Sequence, residues 1–314
     1  MRSANSAEKR FRGRPSAGRH SNSVESIQMQ SRLLRRTLLF FLFWLVSVLL
    51  FRETITELVS LAWIDDRYTH IIVVPALSFG LLLLYGKEIF RNVRYHPWAG
   101  VPLIALGSVV YFAVRICSDS LGEYGHLTAA AAAIVVAWLG GFLLFYGPRC
   151  AKAALFPLSF LILAVPLPPA VVAQVQAFLQ RSSAEVAHIL FKITGTPVFR
   201  DGLTFSLPGL NIEVAQECSG IRSSIALLIT ALLLDYLFLR SHWRRLILVL
   251  VTVPIAVFKN AFRITTLAWL GAFVSKDYIH GSLHHRGGPL FSLISLALLF
   301  PVLWLLWRGD RNHS

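Results

Sequence analysis

The sequence is poor in charged residues and in cysteine, and each shortage argues against a class of protein. Of its 314 residues, 15% are charged and 55% are hydrophobic, and the mean hydropathy is +0.62. Soluble domains carry about 25% charged residues, so an ordinary soluble fold is excluded. The three cysteines, Cys117, Cys150 and Cys218, lie far apart and form no CxxC pair. The sequence therefore predicts neither a disulfide framework nor a cysteine-rich metal site.

The charge that is present is mostly positive and is concentrated at the N-terminus. The net charge is +14, and residues 1–36 supply half of it, with nine Lys/Arg against Glu8 and Glu25. This segment is also rich in Ser and Gly and poor in apolar residues, which predicts a disordered tail. Positive charge beside a membrane span favours the cytoplasmic side and anionic lipid. We therefore interpret the tail as a cytoplasmic anchor that contacts membrane lipid and binds no nucleic acid.

Hydrophobic runs make up most of the remaining chain. Several approach the roughly 20 residues that cross a bilayer as a helix. The first lacks a small-residue cleavage site, so a retained signal anchor is expected. The sequence predicts an all-α polytopic membrane protein, with a transmembrane domain at residues 37–307 and a short cytoplasmic tail at 308–314. About eight spans are expected, at residues 37–51, 71–85, 98–116, 127–146, 153–165, 219–239, 246–274 and 289–307.

The segment at about 168–217 differs in pattern from the spans and is predicted to be an extracytoplasmic insert. Its first part, residues 170–195, mixes polar and apolar positions, which is typical of an amphipathic helix that lies along the interface or packs against the bundle. Its second part alternates over PVFRDGLTFSLPGLNIEV, with turn signals at Asp-Gly and Pro-Gly. A small β element is therefore expected outside the bilayer, directly before Cys218.

Basic residues also give the expected orientation. Together with the N-terminal tail, the segments 86–96, 148–152, 240–245 and 308–314 carry most of the Lys/Arg, and they alternate with less basic loops. The positive-inside rule places them, and both termini, in the cytoplasm. The predicted location is the cytoplasmic (inner) membrane, with Cys218 and the β element facing outward. No internal repeat supports a transporter built from inverted halves.

A cysteine stands where the water-facing strand becomes a membrane helix, in ECSGIRS at 217–223. A helix N-terminus carries partial positive charge, and Arg222 follows Cys218 by four residues, on the same helix face. Both charges favour the thiolate, the nucleophilic form of cysteine, whereas Glu217 opposes it. An inert buried cysteine is the alternative.

Two later segments bring further side chains to the same outer level. Counted from Leu246, Arg263 lies about 26 Å along span seven, near the outer edge of a ~30 Å hydrocarbon layer, with Asn260 one turn below. Ionisable residues inside spans tend to be functional, although an Arg snorkelling to the headgroups is the alternative. The loop at 275–288 supplies three histidines, and a fourth next to span two either lines the site or lies at the interface. These four are His280, His284, His285 and His70.

A Cys, a His and an Arg at one level suit acyl transfer. The Cys218 thiolate would attack a peptide carbonyl, and a His would serve as base for the thiol and acid for the leaving amine. Arg263, with Arg222 as a second candidate, would stabilise the oxyanion. No Ser/His/Asp arrangement or HExxH motif competes. The clustered histidines could bind a metal, but no carboxylate or Cys pattern completes a site, so neither a metal nor a cofactor is predicted.

Several segments resemble those of a known family, the exosortase/archaeosortase transmembrane cysteine transpeptidases. ECSGIRS resembles the family's nucleophile motif, which implies Cys218 as nucleophile, and NAFR at 260–263 resembles its arginine motif, which implies Arg263. WIDDRYTHIIVVP at 63–75 and FPLSFLILAVPLP at 156–168 resemble two further family segments. The resemblance covers most of the chain.

The family's histidine motif has a His four residues before a Gly and seven before a Phe. In HHRGGPLF at 284–291 this spacing fits His284, with Gly288 and Phe291, whereas His285 reaches Gly288 in three. The sequence is richer in His here than the usual pattern. His284 is therefore the first choice for the catalytic histidine and His285 the second.

The resemblance implies a reaction and a substrate class. Family members cleave C-terminal sorting signals, often of the PEP-CTERM type, made of a short motif, a membrane helix and a basic tail. They are thought to transfer the protein to a surface acceptor, a glycan or a lipid. The chain is therefore expected to be a membrane cysteine protease and transpeptidase that acts through a Cys218 acyl-enzyme, with hydrolysis and transfer both open.

Two other functions remain as alternatives. One is a non-catalytic membrane component of an exopolysaccharide synthesis or export system, in which the Cys, Arg and His would be packing or snorkelling residues. The other is a transporter or channel, which the scarcity of polar residues deep in the spans disfavours.

Overall fold

The computed structural model describes residues 17–117, 125–215, 219–275 and 288–311, and it is mostly helical. The predicted all-α polytopic membrane fold with a small β element is confirmed. In chain order, its elements are α1 (Ala17–Leu50), α2 (Arg52–Ile64), a 3-10 turn (Asp66–Tyr68), α3 (His70–Leu84), α4 (Gly86–Ile89), a 3-10 turn (Phe90–Asn92), α5 (Pro97–Ile116), α6 (Gly125–Tyr146), α7 (Pro148–Ala153), α8 (Leu155–Phe160), a 3-10 turn (Leu161–Ala164), α9 (Pro169–Ile193), β1 (Phe199–Asp201), β2 (Thr204–Leu207), β3 (Leu210–Glu213), α10 (Ile221–Phe238), α11 (His242–Phe273) and α12 (Gly288–Arg311).

Seven spans within the described ranges are long and apolar enough to cross a membrane. They are Leu33–Leu50, Asp66–Leu84, Pro97–Ile116, Gly125–Tyr146, Ile221–Phe238, His242–Phe273 and Leu290–Arg311. Each overlaps one of the predicted spans, because a continuous apolar run satisfies its backbone polar groups in lipid by forming a helix.

The predicted fifth span has a different structure. The helical stretch Leu155–Ala164 is about 15 Å long at 1.5 Å per residue, so it reaches spanning length only together with α9, from which it is bent by 91°. The break holds Pro166 and Pro168, and Pro169 opens α9. Proline lacks a backbone donor and disfavours helix in the residue before it. The chain thus has seven candidate spans, or eight if this bent pair crosses as one broken span.

Two further segments show how the predicted boundaries compare with the structure. The amphipathic segment forms α9, which packs against α11, one of the two placements expected for it. The helix α1 begins at Ala17, so it includes residues assigned above to a disordered tail. No Pro or Gly interrupts the chain from His20 to Leu50. Helix propagation is far easier than nucleation, so the helix of the apolar span can extend into the polar residues before it.

Helices α5 and α6 pack so closely that small residues are required between them. A Cβ atom on Gly107 would lie 2.6 Å from the carbonyl oxygen of Ala133, and one on Gly140 would lie 2.7 Å from the backbone nitrogen of Ile104. Small residues let helix backbones approach in membranes, where van der Waals packing drives association.

Replacing Gly107 by Ala is expected to lower the stability of the protein by about 1–3 kcal/mol, the usual range for overpacking. The added methyl group meets backbone atoms of α6, which have no rotamer to change. Gly80→Ala in α3 is the matched control, because a Cβ atom there meets nothing within 4 Å. Thermal unfolding in detergent should show a lower melting temperature for Gly107→Ala only. Equal melting temperatures would contradict the close α5–α6 packing.

The basic segments meet at one end of the bundle, called here the basic end. The backbone nitrogen of Arg94 donates to the carbonyl of Tyr146 at 3.1 Å, and the Arg244 guanidinium bonds the Asp310 carboxylate at 2.6 Å. Tyr236, near the end of α10, contacts one aromatic ring of α8 and another just after α3. Four segments separated in sequence are therefore at the same level.

The opposite end carries the antiparallel sheet, in the order β1-β2-β3, and is called here the sheet end. The predicted turns are present, with left-handed glycines at Gly202 (φ 60°) and Gly209 (φ 74°). The fully buried Phe205 of β2 packs against Phe191 of α9, in a cluster that also includes Ala261 of α11. The register pairs Phe199 with Ser206, Asp201 with Thr204, Thr204 with Glu213 and Leu207 with Leu210.

Candidate functional site

Half of the predicted site residues belong to the described part of the chain, namely Arg222, Asn260, Arg263 and His70. The other half lie outside the described residues, in the stretches 216–218 and 276–287. These are Glu217, Cys218, His284 and His285. The same is true of His280. The site is therefore built from the residues that flank Cys218 and from those that surround Arg263.

The first turn of α10, which follows Cys218 in sequence, packs directly on α11. Gly220 caps this helix in the left-handed conformation, with φ 73°. A Cβ atom on Gly220 would lie 2.9 Å from Oδ1 of Asn260 and 3.4 Å from Nζ of Lys259. The neighbouring Ser219 is buried. Only a residue without a side chain fits between the start of α10 and this part of α11.

Asn260 joins three elements at this point. It is almost fully buried, and its Nδ2 donates to the Ser183 hydroxyl of α9 at 3.1 Å. One turn earlier on α9, the side-chain amide of Gln180 donates to the carbonyl of Val214, just after β3. The chain before residue 216 and the chain after residue 218 are thus both held where α9, α10 and α11 meet.

Arg263 lies at the level of the sheet end. It follows Asn260 by three residues on the same face of α11, and its side chain is half-buried. Ala261, beside it on the helix, packs in one cluster with Val214. The helix is 32 residues, or about 47 Å, long, and Arg263 lies about 32 Å from its start at His242. The predicted placement of Arg263 and Asn260 one turn apart agrees with this helix.

The sequence analysis missed Lys259, which is the most deeply buried cation of this region. Its side chain is 3% exposed, and its Nζ donates a short hydrogen bond to the Ser223 hydroxyl in the first turn of α10. It precedes Arg263 by four residues, so the two side chains are neighbours on one face of α11, one turn apart. A single Lys within an apolar run was the available signal, since an ionisable residue in a span is costly unless it has a use.

The Arg222 guanidinium is paired with a carboxylate from a distant part of the sequence. It forms an exposed ion pair with Asp66, in the 3-10 turn between α2 and α3. That turn also packs on the start of α10, because Tyr68 and Ile221 belong to one buried cluster. The predicted role of Arg222 at the oxyanion therefore competes with this ion pair.

His70 lies in the same turn region and is half-buried. Its Nδ1 is 3.1 Å from the carbonyl oxygen of Arg67, and its ring is 6.4 Å from that of Tyr68. Asp65 caps the turn by accepting from the backbone nitrogen of Arg67. Although burial raises the pKa of the Asp65 carboxyl, the hydrogen bonds and charge of Arg67 outweigh it and hold this pKa below its ordinary value. The cap therefore stays ionised at neutral pH.

Metal ligands do not gather anywhere in the described residues. No group of three His, Cys, Asp or Glu side chains lies close enough there to hold a metal ion. The histidines of the loop at 275–288 lie outside those residues, so the metal alternative for them stays a hypothesis.

Gly220 offers a direct test of the contact between α10 and α11. Gly220→Ala is expected to lower the stability by about 2–5 kcal/mol, from the left-handed backbone (roughly 1–2 kcal/mol) and from overpacking against Asn260 (roughly 1–3 kcal/mol). Gly202→Ala has the same backbone sign, φ 60°, with nothing within 4 Å of its Cβ, so it should lose the backbone part alone. Urea or thermal unfolding of both variants measures the difference. Equal losses would show that the two helices are not in contact here.

Comparison with known proteins identifies the family. No curated protein and no solved structure matches the chain. The model of the transmembrane exosortase family matches residues 62–301, which include the turn after α2, the bent pair, the sheet and the contact between α10 and α11. Because the match covers most of the 314 residues, the chain belongs to the transmembrane exosortase family.

Proposed function

We propose that this exosortase is a membrane-embedded cysteine peptidase and transpeptidase that cleaves C-terminal sorting signals of exported proteins. One observation carries the proposal. Gly220, two residues after Cys218, packs on α11 at Lys259 and Asn260, one turn from Arg263, and Ser219 between Cys218 and Gly220 is buried. The proposed nucleophile is thus bonded to a segment held beside the proposed oxyanion-stabilising residue.

The reaction proceeds through an acyl-enzyme. The Cys218 thiolate attacks the scissile carbonyl carbon, and Arg263 stabilises the negative charge on its oxygen. His284, or His285 beside it, protonates the leaving amine as the C–N bond breaks. The thioester is then attacked by water, which gives a free carboxyl terminus, or by a nucleophile of a surface glycan or lipid, which gives a transferred product; in either case the attacking group gives its proton to the same histidine. Cys218 leaves as thiolate in both cases.

The orientation follows from the positions of the two ends. We place the basic end, with both termini, in the cytoplasm, because lysine and arginine favour that side. The sheet end and Arg263 then face outward from the inner membrane, where a peptide bond just beyond a substrate's membrane helix is within reach. The substrates are proteins that end in a short motif, an apolar helix and a basic tail.

The test compares C-terminal peptides by mass spectrometry between cells with and without this protein. We expect a set of membrane proteins to keep the C-terminal helix only where the protein is missing. The new termini in the other cells mark the cleaved bond, and any added mass identifies the acceptor. Matching C-termini together with altered exopolysaccharide would instead favour the non-catalytic export component.

A further inference from the structure

Lys259 carries a positive charge that the described part of the chain does not compensate. Lys259 is 3% exposed, and the hydrogen bond from its Nζ goes to a neutral partner, the Ser223 hydroxyl. No carboxylate of the described residues comes within the 4 Å of an ion pair. A buried ammonium without a counter-charge is strongly disfavoured, because nothing replaces the hydration that it has lost. Such a group persists where a negative charge forms beside it.

The charged groups around Lys259 limit which residue could supply this negative charge. Among the acidic groups on elements packed against α11, Glu185 pairs with Arg200, and Asp310 pairs with Arg244 at the basic end. Neither Glu213 nor Asp235 comes within the 4 Å of an ion pair with Lys259. The remaining titratable or charged groups of those elements are Arg181, His188, Lys192, Glu213, Arg222, Asp235, Arg308 and Arg311, and α11 itself adds His242, Arg245 and Arg263.

The position of Gly220 beside Lys259 indicates which negatively charged groups the lysine ammonium could stabilise. A Cβ atom at Gly220 would be 3.4 Å from Nζ, and Gly220 is two residues from Cys218. Two residues close to Gly220 in the sequence can carry a negative charge. These are Cys218, when its thiol ionises, and Glu217, through its carboxylate. A thiol next to an ammonium ionises more readily, whereas a neighbouring carboxylate opposes ionisation.

We propose that Lys259 is a positioning residue that keeps Cys218 in its thiolate form, with Ser223 holding the ammonium against the first turn of α10. This inference rests on the proposed function only in taking Cys218 as the nucleophile. In the reaction the thiol gives its proton to the catalytic histidine before attack, the histidine later gives it to the leaving amine, and Lys259 stays protonated and gives up none. The thiolate charge is lost when the thioester forms and returns when the acyl group leaves.

The experiment measures ionisation of Cys218 without any substrate. The full-length protein in native membranes is alkylated with iodoacetamide from pH 5 to pH 9.5, and the rate at Cys218 is read by mass spectrometry of its peptide. The pH at which this rate reaches half of its maximum is called here the midpoint. In the wild type we expect the midpoint to lie well below the pKa of about 8.5 of a free cysteine. Lys259→Met should raise the midpoint by one pH unit or more, Lys259→Arg should restore most of the shift, and Ser223→Ala should have a smaller effect.

Cys150 is the internal control for folding. It is 1% exposed in a separate cluster near the basic end, so it stays unalkylated while the bundle is intact. An unchanged midpoint in Lys259→Met, with Cys150 still protected, would overturn the proposal. If Lys259→Met exposes Cys150, Lys259→Gln, which keeps a donor for Ser223, replaces it and must give the same upward shift. If Glu217→Gln, added to Lys259→Met, returns the midpoint to the wild-type value, the role of the lysine is to neutralise that carboxylate instead.

Failure here and failure of the proposed function are distinguishable. A wild-type midpoint near 8.5 rules out the stabilised thiolate, while the C-terminal peptide comparison still decides whether sorting signals are cleaved. Conversely, a low midpoint that depends on Lys259 stands even if no cleaved substrate is found.

Discussion

Cys218→Ala is expected to abolish cleavage of sorting signals, with a loss of at least about 10³-fold. Covalent catalysis has no substitute nucleophile in this variant, and removal of a catalytic nucleophile costs up to about 10⁶-fold in a well-studied hydrolase. The protein should remain in the membrane at the wild-type level, because the change removes one sulfur atom. Quantitative mass spectrometry of a substrate's intact and cleaved C-termini measures the loss.

Cys117→Ala provides the matched control. This cysteine follows the end of α5 and is exposed, so its replacement should leave cleavage within about twofold, since surface substitutions usually change stability by less than 0.5 kcal/mol. Cys218→Ser should retain little activity, because an alcohol is a far weaker nucleophile than a thiolate. Wild-type cleavage by Cys218→Ala would reduce the cysteine to a packing residue.

Arg263→Met is expected to lower the cleavage rate by about 10²–10³-fold, the range for losing one oxyanion-stabilising donor. The change keeps the length and apolar contacts of the side chain and removes its charge and its hydrogen-bond donors. Arg263→Lys restores charge without the planar fork of donors, so it should recover only part of the rate. Initial rates of cleavage in membranes with a defined substrate measure all three proteins.

The control for Arg263 is Arg115→Met. Arg115 lies in the last turn of α5 and pairs with Glu53 at 2.5 Å and Glu57 at 3.4 Å, both of α2. Exposed ion pairs of this kind contribute about 0–1 kcal/mol, so the cleavage rate should be nearly unchanged. If both arginine variants lose activity equally, the effect of Arg263 is on the fold and not on the oxyanion.

Hydrophobic runs and turn residues predicted most of the fold, because these signals are local. The apolar spans became helices, and Asp-Gly and Pro-Gly became the glycine turns of the sheet. The bent pair was harder to predict, since its proline run ends one helix but does not determine the angle of the next. The start of α1 was also missed, because composition alone does not show how far a membrane helix extends into polar sequence.

The candidate site was predictable only in part for a related reason. Arg263 was found because a charged residue in a span is conspicuous, and Asn260 because it lies one turn below Arg263. Lys259 gives the same signal as Arg263 in the sequence, but its contacts with Ser223 and Gly220, 36 and 39 positions earlier in the chain, are properties of the fold. The pairing of Arg222 with Asp66, 156 positions apart, is likewise a property of the packed helices and of no local pattern.

The length of α11 determines how far Arg263 lies from the basic end of the bundle. From the basic end to Arg263 the helix measures about 32 Å, close to the ~30 Å thickness of the hydrocarbon layer. A substrate helix of about 20 residues covers the same height, so the two helices side by side bring its outer end level with Arg263. In the proposed reaction, the bond that is cut is therefore selected by distance from the cytoplasmic surface as well as by its sequence. In that reaction, a substrate helix longer by one turn would raise the bond by about 5.4 Å above the level of Arg263.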